Sequence, residues 1–281
     1  MKRYVAILTA VAVLTFFTGI KYVEAALPAN ASFPSSANIQ GRWQLDEASG
    51  TRADVSGNGN TLADNNTVGS TTGINEAGAS SALAADFFVG NTEFLSIGDG
   101  SQTGLDAQDH TVSMWVNIRN APGLFALYGK AGSGDEAYRC FYRSTTKIQC
   151  DMFDASSNET QWEKTQDLGT GTWQHLIIAV DVSEAVIKMY LNGASISPTQ
   201  TDSAATSIRN SGGDFQIGAQ ASATTHNGQI QDLVFLNTFY SAANALTTYE
   251  LYTVAQAAGG GAPTGAIWFS FIEFHAKADY A

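Results

Sequence analysis

The stretch Asp54-Val55-Ser56-Gly57-Asn58-Gly59-Asn60 places an oxygen-bearing side chain at every second residue across a glycine-rich turn. Calcium takes roughly six to eight oxygens, and a tight turn offers side-chain and carbonyl oxygens together. Asp54 and Asn58 are the candidate side-chain ligands. The string partly imitates an EF-hand loop, but the twelfth position is Asn65 instead of Glu and no helices flank it, so that motif is rejected. The plainer alternative is an Asx turn that only stabilises the loop. Cys140 and Cys150 are the two cysteines, with a turn-like Ser144-Thr145-Thr146 between them. A hairpin centred there sets the two thiols opposite each other and predicts a disulfide; two separate buried thiols are the alternative. Trp162 lies in the polar run SSNETQWEKTQD. It is either a platform for stacking a sugar ring or a ring that covers a sheet edge. His110, His175, His226 and His275 are scattered without metal-ligand spacing. No Gly-x-Ser-x-Gly elbow, His-Glu-x-x-His or phosphate loop occurs.

The elements that must position these groups read as strands. Thr111 to Ile118 alternates, with Val112, Met114, Val116 and Ile118 on one side and Trp115 among the residues on the other. His175 to Val180 is a short apolar run suited to a buried strand. Ala185 to Leu191 follows, and Asn192-Gly193 then signals a tight hairpin. Phe215 to Gly218 and Gln229 to Leu236 add two more strands. Trp43, Trp115 and Trp173 are expected in the core. One short helix is expected from about Ala242 to Tyr252, capped by Ser241, with Leu246, Tyr249 and Tyr252 or Leu251 on its packed side. A Gly-rich linker then leads to an aromatic tail. In that tail, Ile267 to Phe274 has a strand pattern apolar on both faces, for which docking is expected.

Composition agrees with an exported β-protein. Of 281 residues, 44% are hydrophobic and only 14% charged. The net charge is −12, which argues against nucleic acid and against anionic lipid as partners. The chain opens on Lys2 and Arg3, an uncharged apolar run and Val23-Glu24-Ala25, the pattern of a signal peptide over residues 1–25. An uncleaved signal is the expected route, if any, to a membrane. The organisation expected is signal (1–25), lead-in (26–38), β-sandwich (39–256), then linker and tail (257–281). Many short strands divided by turns indicate two packed antiparallel sheets.

Five blocks carry a resemblance. GRWQLDEASGTRADVSGNGN, TVSMWVNI, GTWQHLIIAVD followed by IKMYLNG, FQIGAQ, and GQIQDLVFLNTFYSAANALTTYELY occur in the order of a laminin-G-like domain. The chain thus resembles that branch of the concanavalin A-like lectin/glucanase superfamily from about Ile39 to Tyr252. The resemblance implies an all-β jelly-roll sandwich with one short C-terminal helix, often holding a structural calcium. It points to Glu47 and Asp232 as ligands beside the Asp54–Asn60 turn, and it makes His175 a core position. One departure is local: where the closing block usually reads Ile-Asp after its glycine, Gln231 here separates Ile230 from Asp232.

The resemblance also implies a secreted or surface-exposed binding module for extracellular glycan, or alternatively an adhesive protein that contacts other surface proteins. Glycosidases of this superfamily carry a Glu-x-Asp-x-x-Glu string on one strand, so that one acid protonates the leaving group while another attacks. No such string occurs, and the adjacent Asp46 and Glu47 would point to opposite faces of a strand. A glycosidase or polysaccharide lyase is therefore the least favoured reading.

Overall fold

A computed structural model describes residues 29–74 and 83–259, apart from 107–108, 121–122, 133, 144–145 and 222–223, with side chains described as far as Tyr252. The expectations for the signal peptide and for the tail beyond Gly259 lie outside the described residues. The strands in chain order are β1 Ile39–Trp43, β2 Ala63–Asn65, β3 Gly69–Thr72, β4 Leu83–Phe87, β5 Phe94–Ile97, β6 His110–Ile118 and β7 Phe125–Gly132. Then come β8 Asp135–Arg143, β9 Lys147–Phe153, β10 Glu159–Thr165, β11 Trp173–Asp181, β12 Val186–Leu191, β13 Ala194–Ser195 and β14 Thr199–Ser203. The last are β15 Asp214–Ile217, β16 Ala219–Gln220, β17 Thr224–Thr225 and β18 Gly228–Leu236, followed by the helix α1, Ala242–Gly259.

These strands form two antiparallel sheets packed as a sandwich. The first runs β13-β12-β11-β6-β18-β4-β3, and β1 pairs with the far half of β18. The second runs β14-β10-β9-β8-β7-β15-β5-β2, and a small β16–β17 ribbon stands beside it. Alternation on β6 holds as read: Val112, Met114, Val116 and Ile118 enter the core between the sheets. Trp43 stacks on Phe215 across that core, with ring centroids 5.5 Å apart. Its ring lies over Gly41, where a Cβ would sit 2.3 Å from the indole. Only glycine fits beneath it.

The opposite face of the first sheet is covered as well. Trp115, Ile177, Ala179, Tyr190, Val234 and Leu236 form a second apolar cluster with Phe33, Tyr240, Ala245 and Tyr252. Trp115 is thus buried under the helix instead of between the sheets, and Trp173 is half-buried at the rim of the same cluster. His175 is buried here, its Nε2 2.9 Å from Ser113 Oγ.

The helix packs through Tyr249, Leu251 and Tyr252 as expected, and differs in its length and in the place of Leu246. It continues to Gly259, beyond Tyr252 and into the expected linker. Ser241 Oγ caps it by accepting from Asn244 N–H at 3.2 Å. Among its residues up to Tyr252, Ala245, Thr248 and Tyr252 are buried, while Leu246 is 46% exposed. Small and aromatic residues at a three- to four-residue spacing let the helix lie close on the sheet, and Leu246 falls outside that stripe. The Asn192-Gly193 turn adopts φ values of 49° and 78°, the left-handed pair such hairpins require.

Candidate ligand-binding face

The residues expected to hold a cation are already committed to one another. Asp54 Oδ1 accepts from the backbone N–H groups of Arg42 (3.0 Å) and Ser56 (2.8 Å), and Oδ2 accepts from that of Asn60 (2.8 Å). Asn58 Nδ2 donates to the carbonyls of Ile39 (2.9 Å) and Gln40 (3.1 Å). The turn is therefore an Asx turn that fastens the loop to β1. Glu47 Oε1 accepts from Ala53 N–H at 2.7 Å, and its other oxygen faces Arg52 Nε at 3.8 Å.

Asp232 has a different partner from the one expected. It is fully buried, and Arg42 binds it as a fork, Nε to Oδ1 and Nη2 to Oδ2, each at 2.8 Å. The Tyr252 hydroxyl donates to Oδ2, also at 2.8 Å. Gln231, the residue that departs from the family pattern, explains this geometry. The β18–β6 register slips between Gln231 and Val234, and Asp232 takes φ +44°, so the extra residue forms a bulge. The bulge turns Asp232 toward Arg42 and the helix. Both Asp54 and Asp232 thus lean on Arg42, one on its backbone and one on its guanidinium. A calcium ion at Asp232 would have to displace a guanidinium already in place. Among the described residues, no three His, Cys, Asp or Glu side chains converge on a point that could hold a metal. The quartet Glu47, Asp54, Asn58 and Asp232 does not fit a calcium cage.

Trp162 and the cysteines share one face of the second sheet. Cys140 stands opposite Cys150 on the β8–β9 hairpin, and the two are joined as a disulfide. Trp162 pairs with Cys150, so its ring points to the core side, where it packs half-buried against the main cluster. That position suits covering the sheet edge and does not suit a stacking platform on the outer face.

The outer face carries what the sequence reading did not single out. One register row crosses five strands: Gln216 (β15), Gly129 (β7), Arg139 (β8), Asp151 (β9) and Gln161 (β10). Arg139 Nε binds Asp151 Oδ2 at 2.8 Å, and its Nη2 reaches Glu159 Oε1 at 3.6 Å. Its guanidinium also lies 4.7 Å from the Phe153 ring centroid. Gln149 Nε2 donates to both Asp151 oxygens at 2.8 and 3.0 Å, and Arg143 Nη1 donates to Gln149 Oε1. Burial, and then the charge of Asp151, raise the Glu159 carboxyl above its ordinary range, against the pull of Arg139. A hollow of about 210 Å³ opens here, lined by Leu124, Arg139, Phe141, Arg143, Gln149 and Gln220. A second, of about 280 Å³, lies along the same row beside Asp214, Gln216 and Ala221. A sequence signal for this face did exist. If Cys140 and Cys150 face inward, their odd-numbered neighbours Arg139, Phe141, Gln149 and Asp151 must face outward.

A family model described as Laminin_G_3, of the concanavalin A-like lectin/glucanases superfamily, matches residues 89–245, more than half of the chain. The chain belongs to this family. Comparison with curated proteins finds no match. Solved structures similar to this laminin-G-like chain share its fold at low identity. Domain 4 of AbnA, a GH43 extracellular arabinanase from Geobacillus stearothermophilus solved with arabinotriose, is 16% identical with a TM-score of 0.52, covering 76% of this chain and 98% of that one. Trypanosoma rangeli sialidase is 14% identical with a TM-score of 0.54, over 86% of this chain but only 38% of the sialidase. The binding domain of botulinum neurotoxin serotype D is 13% identical with a TM-score of 0.51, over 76% of this chain and 50% of that one. Among the described residues, no helix is long and apolar enough to cross a membrane.

Proposed function

We propose that this laminin-G-like chain is an exported carbohydrate-binding module whose ligand lies across the outer face of the second sheet. The observation that carries the reading is the outward row from Gln216 to Gln161, in which Arg139 and Gln161 are the partly exposed polar side chains, together with the two hollows beside it. Saccharides present hydroxyls to such side chains and C–H faces to neighbouring apolar groups, here Leu124 and Phe141. The similar domain of the arabinanase, solved with arabinotriose, supports the same reading. The disulfide and the signal-like opening support export.

Binding is favoured over hydrolysis by the state of Asp151. It is 1% exposed, and both its oxygens accept from Gln149 while Arg139 holds one of them. An acid buried and engaged in this way is not presented to a glycosidic bond. The protein-binding alternative would use Phe88, Val89 and Leu124, which are 46%, 44% and 45% exposed.

A glycan array probed with the full chain tests the proposal, followed by NMR shift mapping of the best sugar. Shifts on β15, β7, β8 and β9 are expected. A blank array, or shifts confined to the helix-covered side, would overturn it.

A further inference from the structure

We infer that the hollow beside Arg143 selects an anion, so that the saccharide held on this face carries a carboxylate. The inference rests on the carbohydrate-binding reading and names the substrate class. The lining of the hollow includes two guanidinium groups and no acid. The two arginines are not equivalent. Arg139 is answered by Asp151 and Glu159, and the neighbouring Lys147 by Glu163 at 2.6 Å. Arg143 is exposed and makes no ion pair among the described residues. In a chain of net charge −12, a guanidinium left without a carboxylate in a hollow is a selective feature.

Arg143 is also held in place. Asp151 can only accept, so the Gln149 amide must turn its Nε2 toward it, as it does at 2.8 and 3.0 Å. Gln149 Oε1 then faces the other way, where Arg143 Nη1 donates to it. Gln149 is only 4% exposed, so its amide is fixed by its surroundings. The relay from Arg139 through Asp151 and Gln149 thus orders Arg143 before any ligand arrives, which lowers the entropy cost of binding. A guanidinium has five N–H donors in a planar fork, and one of them is used by Gln149. The fork matches a carboxylate with two parallel hydrogen bonds. Leu124 and Phe141, in the same lining, offer apolar surface to the C–H face of the sugar ring.

The test uses the full chain and titration calorimetry. The probes are galacturonic acid oligomers, matched galactose oligomers and a sulfated galactose oligomer. Wild type should bind the uronate about tenfold more tightly than the neutral sugar. Arg143→Gln should remove that preference with no change in melting temperature, because the side chain is exposed. Arg143→Lys, which keeps the charge but loses the fork, should retain part of it. Equal binding of acidic and neutral sugars by wild type would overturn the inference while leaving the carbohydrate reading intact. So would an unchanged preference in Arg143→Gln, or tighter binding of the sulfated probe than of the uronate. A wild-type chain that binds none of the probes and no glycan on the array would overturn both.

Discussion

At the residue scale, the decisive finding is the partner of Asp232. A buried carboxylate needs a counter-charge, and either a cation or a guanidinium can supply one. Here Arg42 does so as a two-point fork, with Tyr252 adding a third hydrogen bond. Removing one member leaves the other charged and buried. Asp232→Ala should therefore cost roughly 3–5 kcal/mol, since the Arg42 side chain is only 3% exposed. The double variant Arg42→Met/Asp232→Leu should recover much of that loss, because no lone charge remains. Urea unfolding of the three proteins checks both statements; a double variant no more stable than Asp232→Ala would contradict this account. The same geometry predicts that calcium leaves stability unchanged. A bound ion at a hundredfold excess over its dissociation constant would add about 2.7 kcal/mol. Melting temperatures in calcium and in chelator should coincide.

At the element scale, the β8–β9 hairpin joins the core to the outer face. Its inner side carries Cys140 and Cys150 against Tyr128, while its outer side carries Arg139, Phe141, Gln149 and Asp151. A one-residue slip in register would move a strand's inner set to the outer face, because the side-chain period is two. The disulfide pins that register and closes a short loop across the separation of 10 residues. Replacing both cysteines by serine should cost at most roughly 3 kcal/mol. It should also weaken sugar binding, because the relay to Arg143 depends on the same pairing. Thiol alkylation before and after reduction checks the bond itself, and calorimetry on the double variant checks the coupling. Unchanged affinity despite lower stability would show that the outer row keeps its order without the bond.

At the scale of the whole molecule, the protein has three layers, with apolar clusters on both sides of the first sheet. Histidines are buried in them without charge. Burial pushes both His175 and His226 down to about 3 from the ordinary 6.5, and His226 is wedged between the rings of Phe87 and Phe125. The unfolded chain therefore binds protons between about pH 6.5 and 3 that the native chain refuses. Stability should be fully present above pH 6.5 and fall as pH drops through that window, by roughly 1.4 kcal/mol per pH unit for each histidine. Carboxylates add their own slope at the acid end, so the difference between wild type and His226→Phe isolates one histidine. Urea unfolding at pH 7, 6 and 5 should show a shallower fall in the variant. Equal slopes would mean that His226 takes up its proton as readily in the native state as in the unfolded chain.

The sequence by itself determined what is local. Period-two alternation marked β6, a short apolar run marked β11, Asn192-Gly193 marked a hairpin, and the turn between the cysteines placed them opposite each other. The many short strands divided by turns indicated a sandwich, and the family order implied its jelly-roll form. Neither determined the partner of any polar side chain across the fold. Arg42 and Asp232 are 190 residues apart, and a family pattern that suggests a cation at Asp232 is silent about a guanidinium that reaches it. The single inserted residue, Gln231, was visible, but its effect was not. A bulge changes which way one side chain points only once its neighbouring strands are fixed. The outer row is of the same kind. Gln216, Gly129, Arg139, Asp151 and Gln161 come from five strands whose order, β15-β7-β8-β9-β10, only the tertiary structure decided. Alternation assigns a residue to a face, but registers between strands assign it to a site, and those registers follow from packing over the whole molecule.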